Sequence, residues 1–209
     1  MDQARKLEFA LLYVGAPLTM ALAMPPDWLW PAFLGVTLAA LGLLALTPGF
    51  AWRELVRGGA AGGVDWGEAG LVALATAVTA GLLVWLLVPG QAFALPRQAP
   101  RLWVAILLIY PLLSALPQEI VFRVLFFRRY GGLFAGSAGL AVNALAFGLA
   151  HLMFWNWVAA LLTVAGGGIF ARSYQRRGFL QAVLLHAVAG GIIFTSGLGV
   201  FFYHGAVGR

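Results

Sequence analysis

Long apolar runs separated by turn-forming residues dominate this sequence of 209 residues, of which 62% are hydrophobic and 10% charged. A helix that crosses the hydrocarbon core of a bilayer needs about 20 apolar residues. Seven runs approach that length, which predicts an all-α membrane bundle of about seven transmembrane helices. Because no polar linker divides the chain, residues 1–209 are expected to form a single membrane domain. The predicted spans are 8–24, 29–47, 68–88, 102–127, 137–155, 157–172 and 179–197.

The net charge of +6 comes from basic residues that are distributed unevenly between the two sides of these predicted helices. With a cytoplasmic N-terminus, nine of the 13 Lys and Arg residues fall on the inner side, three fall on the outer side, and Arg123 lies within a helix. The positive-inside rule predicts this asymmetry, so the charge indicates a protein embedded in a lipid bilayer, with no nucleic-acid partner. The inner set is Arg5, Lys6, Arg53, Arg57, Arg128, Arg129, Arg172, Arg176 and Arg177, and the outer set is Arg97, Arg101 and Arg209.

One acidic residue lies within an apolar segment. The chain has seven acids and no cysteine, and the six other acids fall in tails, loops or helix ends. The exception is Glu119, and an ionisable group at membrane depth costs about 3 kcal/mol, which makes it a candidate functional residue. Arg123 follows four residues later on the same helix face, so the two side chains form either a structural ion pair or part of a site. Pro117 is expected to loosen this helix and free backbone carbonyls near Glu119.

Two of the three histidines also lie within apolar segments. His151 follows Asn143 and Phe147 at steps of four, so these three residues share one helix face. His186 lies in the middle of the last predicted helix. A rise of 1.5 Å per residue puts Glu119 and both histidines at similar depths, in the inner half of the bilayer. One buried carboxylate and two buried imidazoles favour a functional site over three separate core residues.

A carboxylate with two imidazoles can hydrolyse a peptide bond. Glu119 with His151 would activate a water molecule, and His186 would donate a hydrogen bond to the developing oxyanion. This chemistry requires no cofactor. The same three side chains are also suitable zinc ligands, although their spacing does not form the His-Glu-x-x-His motif, and the metal-bound alternative stays open.

Three short motifs resemble those of the CAAX protease and bacteriocin-processing family of intramembrane endopeptidases. The family motifs Glu-Glu-x-x-x-Arg, Phe-x-x-x-His and His-x-x-x-Asn/Asp correspond to residues 118–123, 147–151 and 186–190. The resemblance implies a catalytic core over 115–190 and a membrane-anchored protein or peptide substrate, cut near its C-terminus. It also implies that Arg123 orients the catalytic groups.

The chain departs from the family pattern at two positions. Gln118 replaces the first glutamate and cannot act as a base, so activity would depend on Glu119. Gly190 replaces the final Asn or Asp of the third motif, a loss that Asn143 or Asn156 would offset unless they serve as a helix cap or packing residue. Together with Phe147, Gln118 and Asn143 are expected to support the site. The pattern is similar to that of a bacterial branch, which implies the bacterial inner membrane.

Two other functions fit the same residues. A catalytically inactive membrane partner, such as an immunity or chaperone-like subunit, would bind a peptide in a polar cavity open toward the cytoplasm. A small transporter would relay protons through Glu119 and the histidines. The chain contains no repeated half with a matching broken helix, which argues against transport.

Overall fold

The computed structural model describes residues 2–56 and 61–202, which form an all-α bundle, as the sequence predicts. Eight helices occur within these ranges, and each predicted span coincides with one of them. The predicted inner-side Arg57 and outer-side Arg209 lie outside the described residues. The helices are α1 (2–22), α2 (Leu29–Ala45), α3 (Trp66–Leu87), α4 (Ala94–Gln98), α5 (Pro100–Leu133), α6 (Ala138–Phe154), α7 (Trp157–Arg177) and α8 (Phe179–Ser196).

Three of the described helices are long and apolar enough to cross a membrane. These are α3 with 22 residues, α5 with 34 and α8 with 18, whereas α2 and α6 are apolar but shorter. Large apolar side chains cover their outer faces; Trp85, for example, is 70% exposed and Leu108 68%. In water such a surface would promote aggregation, whereas in lipid it is the normal exterior of a bundle. The structure therefore confirms a membrane helix bundle, and the count of seven crossings stays a prediction.

Side chains that cap helix ends fix two of the turns. Asp65 precedes α3 and accepts a hydrogen bond from the backbone N–H of Glu68 at 2.9 Å. Asn156 precedes α7 and accepts from the N–H groups of Val158 and Ala159 at 2.8 and 3.1 Å. Such caps satisfy backbone donors that the first helical turn leaves free. Asn156 is therefore a capping residue.

Ion pairs and polar contacts cluster at one end of the bundle. They connect α1, the segment after α2, and the start of α3 to the ends of α5 and α7 and the start of α8. Several members of the predicted inner set of basic residues thus meet at this end, which agrees with their placement on one side. The pairs are Arg129 with Glu8, Arg128 with Glu54 at 2.5 Å, Arg177 with Asp65 at 2.6 Å, Ser173 with Glu68 at 3.0 Å and Gln181 with Glu68 at 3.1 Å.

Helix α5 is irregular in its middle. Two segments of wide π-helical turns, Pro111–Ala115 and Ile120–Tyr130, flank the short α-helical stretch Leu116–Glu119. Wide turns of this kind are frequent at functional sites. They leave backbone carbonyls to be satisfied from outside the helix, and the Tyr13 hydroxyl donates to the carbonyl of Val121 at 2.7 Å. The loosening expected from Pro117 is therefore present on both sides of Glu119.

Candidate active site

The carboxylate of Glu119 joins two helices. Its Oε1 lies 2.9 Å from Nδ1 of His186 on α8, and its Oε2 lies 3.1 Å from Nε of Arg123, one turn further along α5. The side chains of Glu119 and Arg123 are both 0% exposed. Burial of a charged group is tolerable when an opposite charge and hydrogen bonds accompany it, and each of these two charges has the other as its partner.

The guanidinium of Arg123 is fixed from several directions. Its Nη1 donates to Oδ1 of Asn143 at 2.8 Å and contacts the carbonyl of Phe122 at 3.4 Å. Its Cζ lies 4.7 Å from the centre of the Phe147 ring and 5.8 Å from that of Phe170, which are cation–π distances. Arg123 is therefore held by contacts on several sides, beside the acid.

Asn143 forms hydrogen bonds both to this arginine and to the backbone of α5 in its segment of wide turns. Its Oδ1 accepts from Arg123, and its Nδ2 donates to the backbone carbonyl of Phe122. The residue is fully buried on α6, and both ends of its amide are occupied. Asn143 thus contacts Arg123 and the backbone of α5, and its amide is not free to replace the missing side chain of Gly190.

His151 lies near the C-terminal end of α6 and bonds within its own helix. Its Nδ1 lies 2.7 Å from the carbonyl oxygen of Phe147, and its ring centre lies 4.6 Å from that of Phe147. Among the described residues, no hydrogen bond or ion pair connects His151 to Glu119. The contacts of the acid thus favour His186, and not His151, as its imidazole partner.

His186 is enclosed by aromatic rings. Phe170 stacks on its imidazole with ring centres 5.0 Å apart and planes at 17°. Phe147 meets it edge-on at 5.5 Å, so this phenyl ring lies against both histidines. Tyr110 of α5 approaches at 6.0 Å. The histidine keeps 5% of its surface exposed, whereas Glu119 keeps none, and His186 is thus the more accessible member of the pair.

Gln118 lies beside the acid and is half-buried. Its Nε2 donates to the Ser114 hydroxyl at 2.9 Å, while its Oε1 is buried without a hydrogen-bond partner. Tyr110, Ser114 and Gln118 follow one another at steps of four on α5. An unsatisfied buried acceptor costs about 1–3 kcal/mol, so this oxygen is available for a donor from a bound molecule.

Tyr110 fills the space that an Asn or Asp side chain at position 190, the last position of the third motif, would otherwise occupy. A Cβ atom built on Gly190 would lie 2.3 Å from Cε1 of Tyr110 and 2.5 Å from its hydroxyl oxygen. Only glycine leaves room for the tyrosine ring at this point. No motif in the sequence marks Tyr110, and the departure at Gly190 is the one signal that something else fills the space.

The three predicted zinc ligands do not form a ligand cluster. No group of three or more His, Cys, Asp or Glu side chains suited to holding a metal ion occurs within residues 2–56 and 61–202. Both carboxylate oxygens of Glu119 already contact His186 and Arg123. Within the described residues, these side chains as arranged do not fit the metal.

An apolar groove lies elsewhere, between α3 and α8. None of the predicted site residues lines it, and the expected polar cavity is not formed by this groove. The groove is lined by Ala77, Gly81, Val84, Trp85, Pro89, Ala92, Phe93, Ile192 and Ser196.

An all-α membrane bundle with an acid, an arginine and an imidazole in contact at its centre defines a class of membrane-embedded proteins with a buried polar site. Residues 100–192 match the family model described as type II CAAX prenyl endopeptidase Rce1-like. This region includes all three motifs and is similar to that family of endopeptidases, the relationship that the motifs predict. No curated protein and no solved structure matches the chain.

Proposed function

We propose that the protein is an intramembrane endopeptidase in which His186 activates the hydrolytic water and Glu119 orients and balances His186. The observation that carries the proposal is the 2.9 Å contact between Oε1 of Glu119 and Nδ1 of His186 in a fully buried setting. The family assignment of residues 100–192 supports the reaction class. The proposed reaction requires no cofactor.

The direction of this hydrogen bond determines what His186 can do. A carboxylate only accepts, so Nδ1 carries the hydrogen and the other nitrogen of a neutral ring, Nε2, carries a lone pair. Within the described residues no hydrogen bond occupies Nε2. A base with a free lone pair and a carboxylate behind it is the arrangement that general-base catalysis uses. Gln118, which cannot take a proton, then has no need to act as the base.

Arg123 allows the acid to perform this role. A buried carboxylate without a partner would tend to take up a proton and lose its charge. Arg123 lies 3.1 Å from Oε2 of Glu119, and Oε1 of the same carboxylate faces the imidazolium that forms when His186 accepts a proton. Asn143 and Phe147 hold the guanidinium in turn, which is the supporting role predicted for both residues.

The proposed reaction then runs in two balanced steps. Nε2 of His186 takes one proton from water as the water oxygen bonds to the substrate carbonyl carbon, and the π electron pair of the carbonyl moves to its oxygen. The carbonyl then re-forms as the C–N bond breaks, and Nε2 returns the proton to the departing nitrogen. The products are a carboxylic acid and an amine, and His186 is neutral again.

His151 has a separate role in this proposal. Its Nδ1 donates to the carbonyl of Phe147, which leaves Nε2 as an acceptor. We assign it to hold the second hydrogen of the water or a substrate N–H group. The sequence prediction paired His151 with Glu119 and made His186 the oxyanion donor, whereas the contacts of Glu119 favour His186 as the base.

The substrate class follows from the membrane setting and the family. The name of the matching family refers to prenyl substrates. We therefore propose a membrane-anchored protein or peptide, with a lipidated cysteine near the scissile bond, processed by a catalytic core over 115–190. A bacterial inner membrane with the N-terminus in the cytoplasm is the matching location, and the surrounding bilayer is the second partner.

A catalytically inactive binding partner is the second candidate. It is favoured by one observation: both oxygens of Glu119 are engaged in contacts that also explain the residue as a buried structural pair. In that case Gln118 marks the loss of the base, and the site binds a peptide without cutting it.

A comparison of membrane-protein termini between wild-type cells and cells with Glu119→Gln tests the proposal. We expect new C-termini in the wild type that disappear in the variant at equal protein abundance. Glu54→Gln is the matched control, because Glu54 pairs with Arg128 at the end of the bundle, away from the site. Identical termini in wild-type and Glu119→Gln cells would favour the inactive binding partner.

A further inference from the structure

Tyr110 lies against the part of α8 that follows His186. Position 190 is one turn beyond His186 on the same helix face, and a Cβ there would fall 2.5 Å from the Tyr110 hydroxyl oxygen. Cβ positions four residues apart on a helix are about 5–6 Å from each other. The hydroxyl of Tyr110 is therefore next to the imidazole of His186, on the face that points into the site.

Packing explains the ring of Tyr110 but not its hydroxyl. The ring meets Phe194 edge-on with centres 5.4 Å apart and approaches His186 at 6.0 Å. A phenylalanine would make the same contacts. A tyrosine hydroxyl in an apolar interior normally finds a hydrogen-bond partner, and the Tyr110 hydroxyl has none among the described residues. A half-buried donor beside the proposed base is thus left available for a bound molecule.

We infer that the Tyr110 hydroxyl binds the oxyanion during peptide-bond hydrolysis, which rests on the proposed function. As the π electron pair moves to the carbonyl oxygen, the Tyr110 O–H donates a hydrogen bond to that oxygen, and the proton stays on the tyrosine. No other group changes its bonding through this contact. Gly190 is required for the arrangement, because any side chain at that position would overlap with the tyrosine ring.

Variants at positions 110 and 190 test the inference. Tyr110→Phe removes only the hydroxyl, and loss of one oxyanion donor is expected to lower kcat by about 10²–10³-fold. KM should change by less than about twofold, because the contact forms with the transition state. Tyr174→Phe is the matched control: Tyr174 is a partly buried tyrosine of α7 that stacks on Phe127, remote from His186 along the bundle.

Paired substitutions at positions 110 and 190 distinguish a chemical role of Tyr110 from a packing role. Gly190→Asn alone is expected to lose activity, because its Cβ would meet the Tyr110 ring at 2.3 Å. Tyr110→Ala combined with Gly190→Asn opens that space and places an amide donor in it, so the double variant should recover at least about tenfold over Gly190→Asn. Tyr110→Ala combined with Gly190→Leu fills the same space without a donor, and equal recovery in that variant would show that Tyr110 only fills space.

The measurement uses the purified full-length protein in liposomes. The probe is a quenched fluorescent peptide with a farnesylated cysteine three residues before its C-terminus. A wild type that cleaves the probe while Tyr110→Phe keeps the same kcat overturns the inference and leaves the proposed function standing. A wild type that leaves both the probe and all membrane-protein termini intact overturns the two together.

Discussion

Oε1 of Glu119 and Nδ1 of His186 lie 2.9 Å apart, although 67 positions separate the two residues in the chain. The contact joins α5 to α8 in the interior of the bundle. Because Oε2 of the same carboxylate pairs with Arg123, one acid connects a permanent cation to a titratable imidazole.

Removal of the acid should affect stability as well as activity. Glu119→Gln leaves the buried Arg123 without its counter-charge, and breaking a buried pair in this way costs about 3–5 kcal/mol. Glu119→Gln with Arg123→Met removes both charges and should recover most of that stability, while cleavage stays absent. Thermal unfolding and turnover of the two single variants and the double variant form the required cycle. A double variant that regains activity would show that the acid has no chemical role.

The two histidines should differ in what their loss does to the fold. His186→Phe keeps the stacking on Phe170 but removes the base, and we expect turnover to fall by about 10²–10⁴-fold. It also leaves Oε1 of Glu119 unsatisfied, at a cost of about 1–3 kcal/mol. His151→Ala should lower turnover as well, with a smaller effect on stability, because its hydrogen bond stays within its own helix. Equal turnover in His186→Phe and wild type would contradict the proposed role.

Close packing of α6 on α7 depends on Gly148. A Cβ at this position would lie 2.2 Å from Cγ2 of Val164 and 3.4 Å from the carbonyl oxygen of Ala160. Gly148→Ala is therefore expected to destabilise the protein by about 1–3 kcal/mol, and Val164→Ala in the same chain should relieve the overlap. Gly70→Ala in α3 meets nothing within 4 Å and should be neutral or stabilising by up to about 1 kcal/mol. Melting temperatures in one detergent give the comparison.

The start of α3 should show a pH dependence due to Asp65. The hydrogen bond from the backbone N–H of Glu68, with Arg177 nearby, lowers the pKa of Asp65 below its usual value of 3.8. A carboxyl whose pKa is lower in the folded state stabilises the fold above the unfolded pKa, and this contribution is lost as the pH falls through the folded value. Asp65→Asn should thus reduce the melting temperature at pH 7, and the gap from wild type should narrow below pH 3.8. A gap that is constant across this range would contradict the assignment.

The proposed orientation predicts which ends of the helices face the cytoplasm. The chain has no cysteine, so a single introduced cysteine is a unique label site. Arg97→Cys should react with a membrane-impermeant maleimide in intact cells, whereas Arg53→Cys should react only after the cells are permeabilised. Both side chains are exposed, so accessibility within the protein does not limit either reaction. The reverse pattern would place the N-terminus outside.

The positions of the helices could be predicted from the sequence because lipid requires long apolar runs with internally bonded backbones. The pairing of Glu119 with Arg123 also follows from their spacing of four, and residue counting put His186 at the depth of Glu119. Depth does not determine how a helix is rotated about its axis, so the prediction that His151 would be the partner of the acid could not be decided from the sequence.

Two further features depend on three-dimensional packing. The extension of α5 to Leu133 was not predicted, because Arg128 and Arg129 end the apolar run while their ion pairs with Glu54 and Glu8 let the helix continue. Tyr110 lies in an apolar run with no motif around it. Its relation to Gly190 exists only because α5 and α8 pack against each other.

The phenyl ring of Phe147 packs against several residues of the proposed site. Arg123 lies over its face, and the rings of His151 and His186 pack against it. The backbone of Gly167 also packs closely against Phe147, since a Cβ at position 167 would be 3.2 Å from Cδ1 of the phenyl ring. Replacing Phe147 by a small residue would therefore remove packing from Arg123, His151 and His186 at once. In a genetic screen for loss of activity, this substitution would score as severely as one at a residue that transfers a proton, although the phenyl ring has no reactive group.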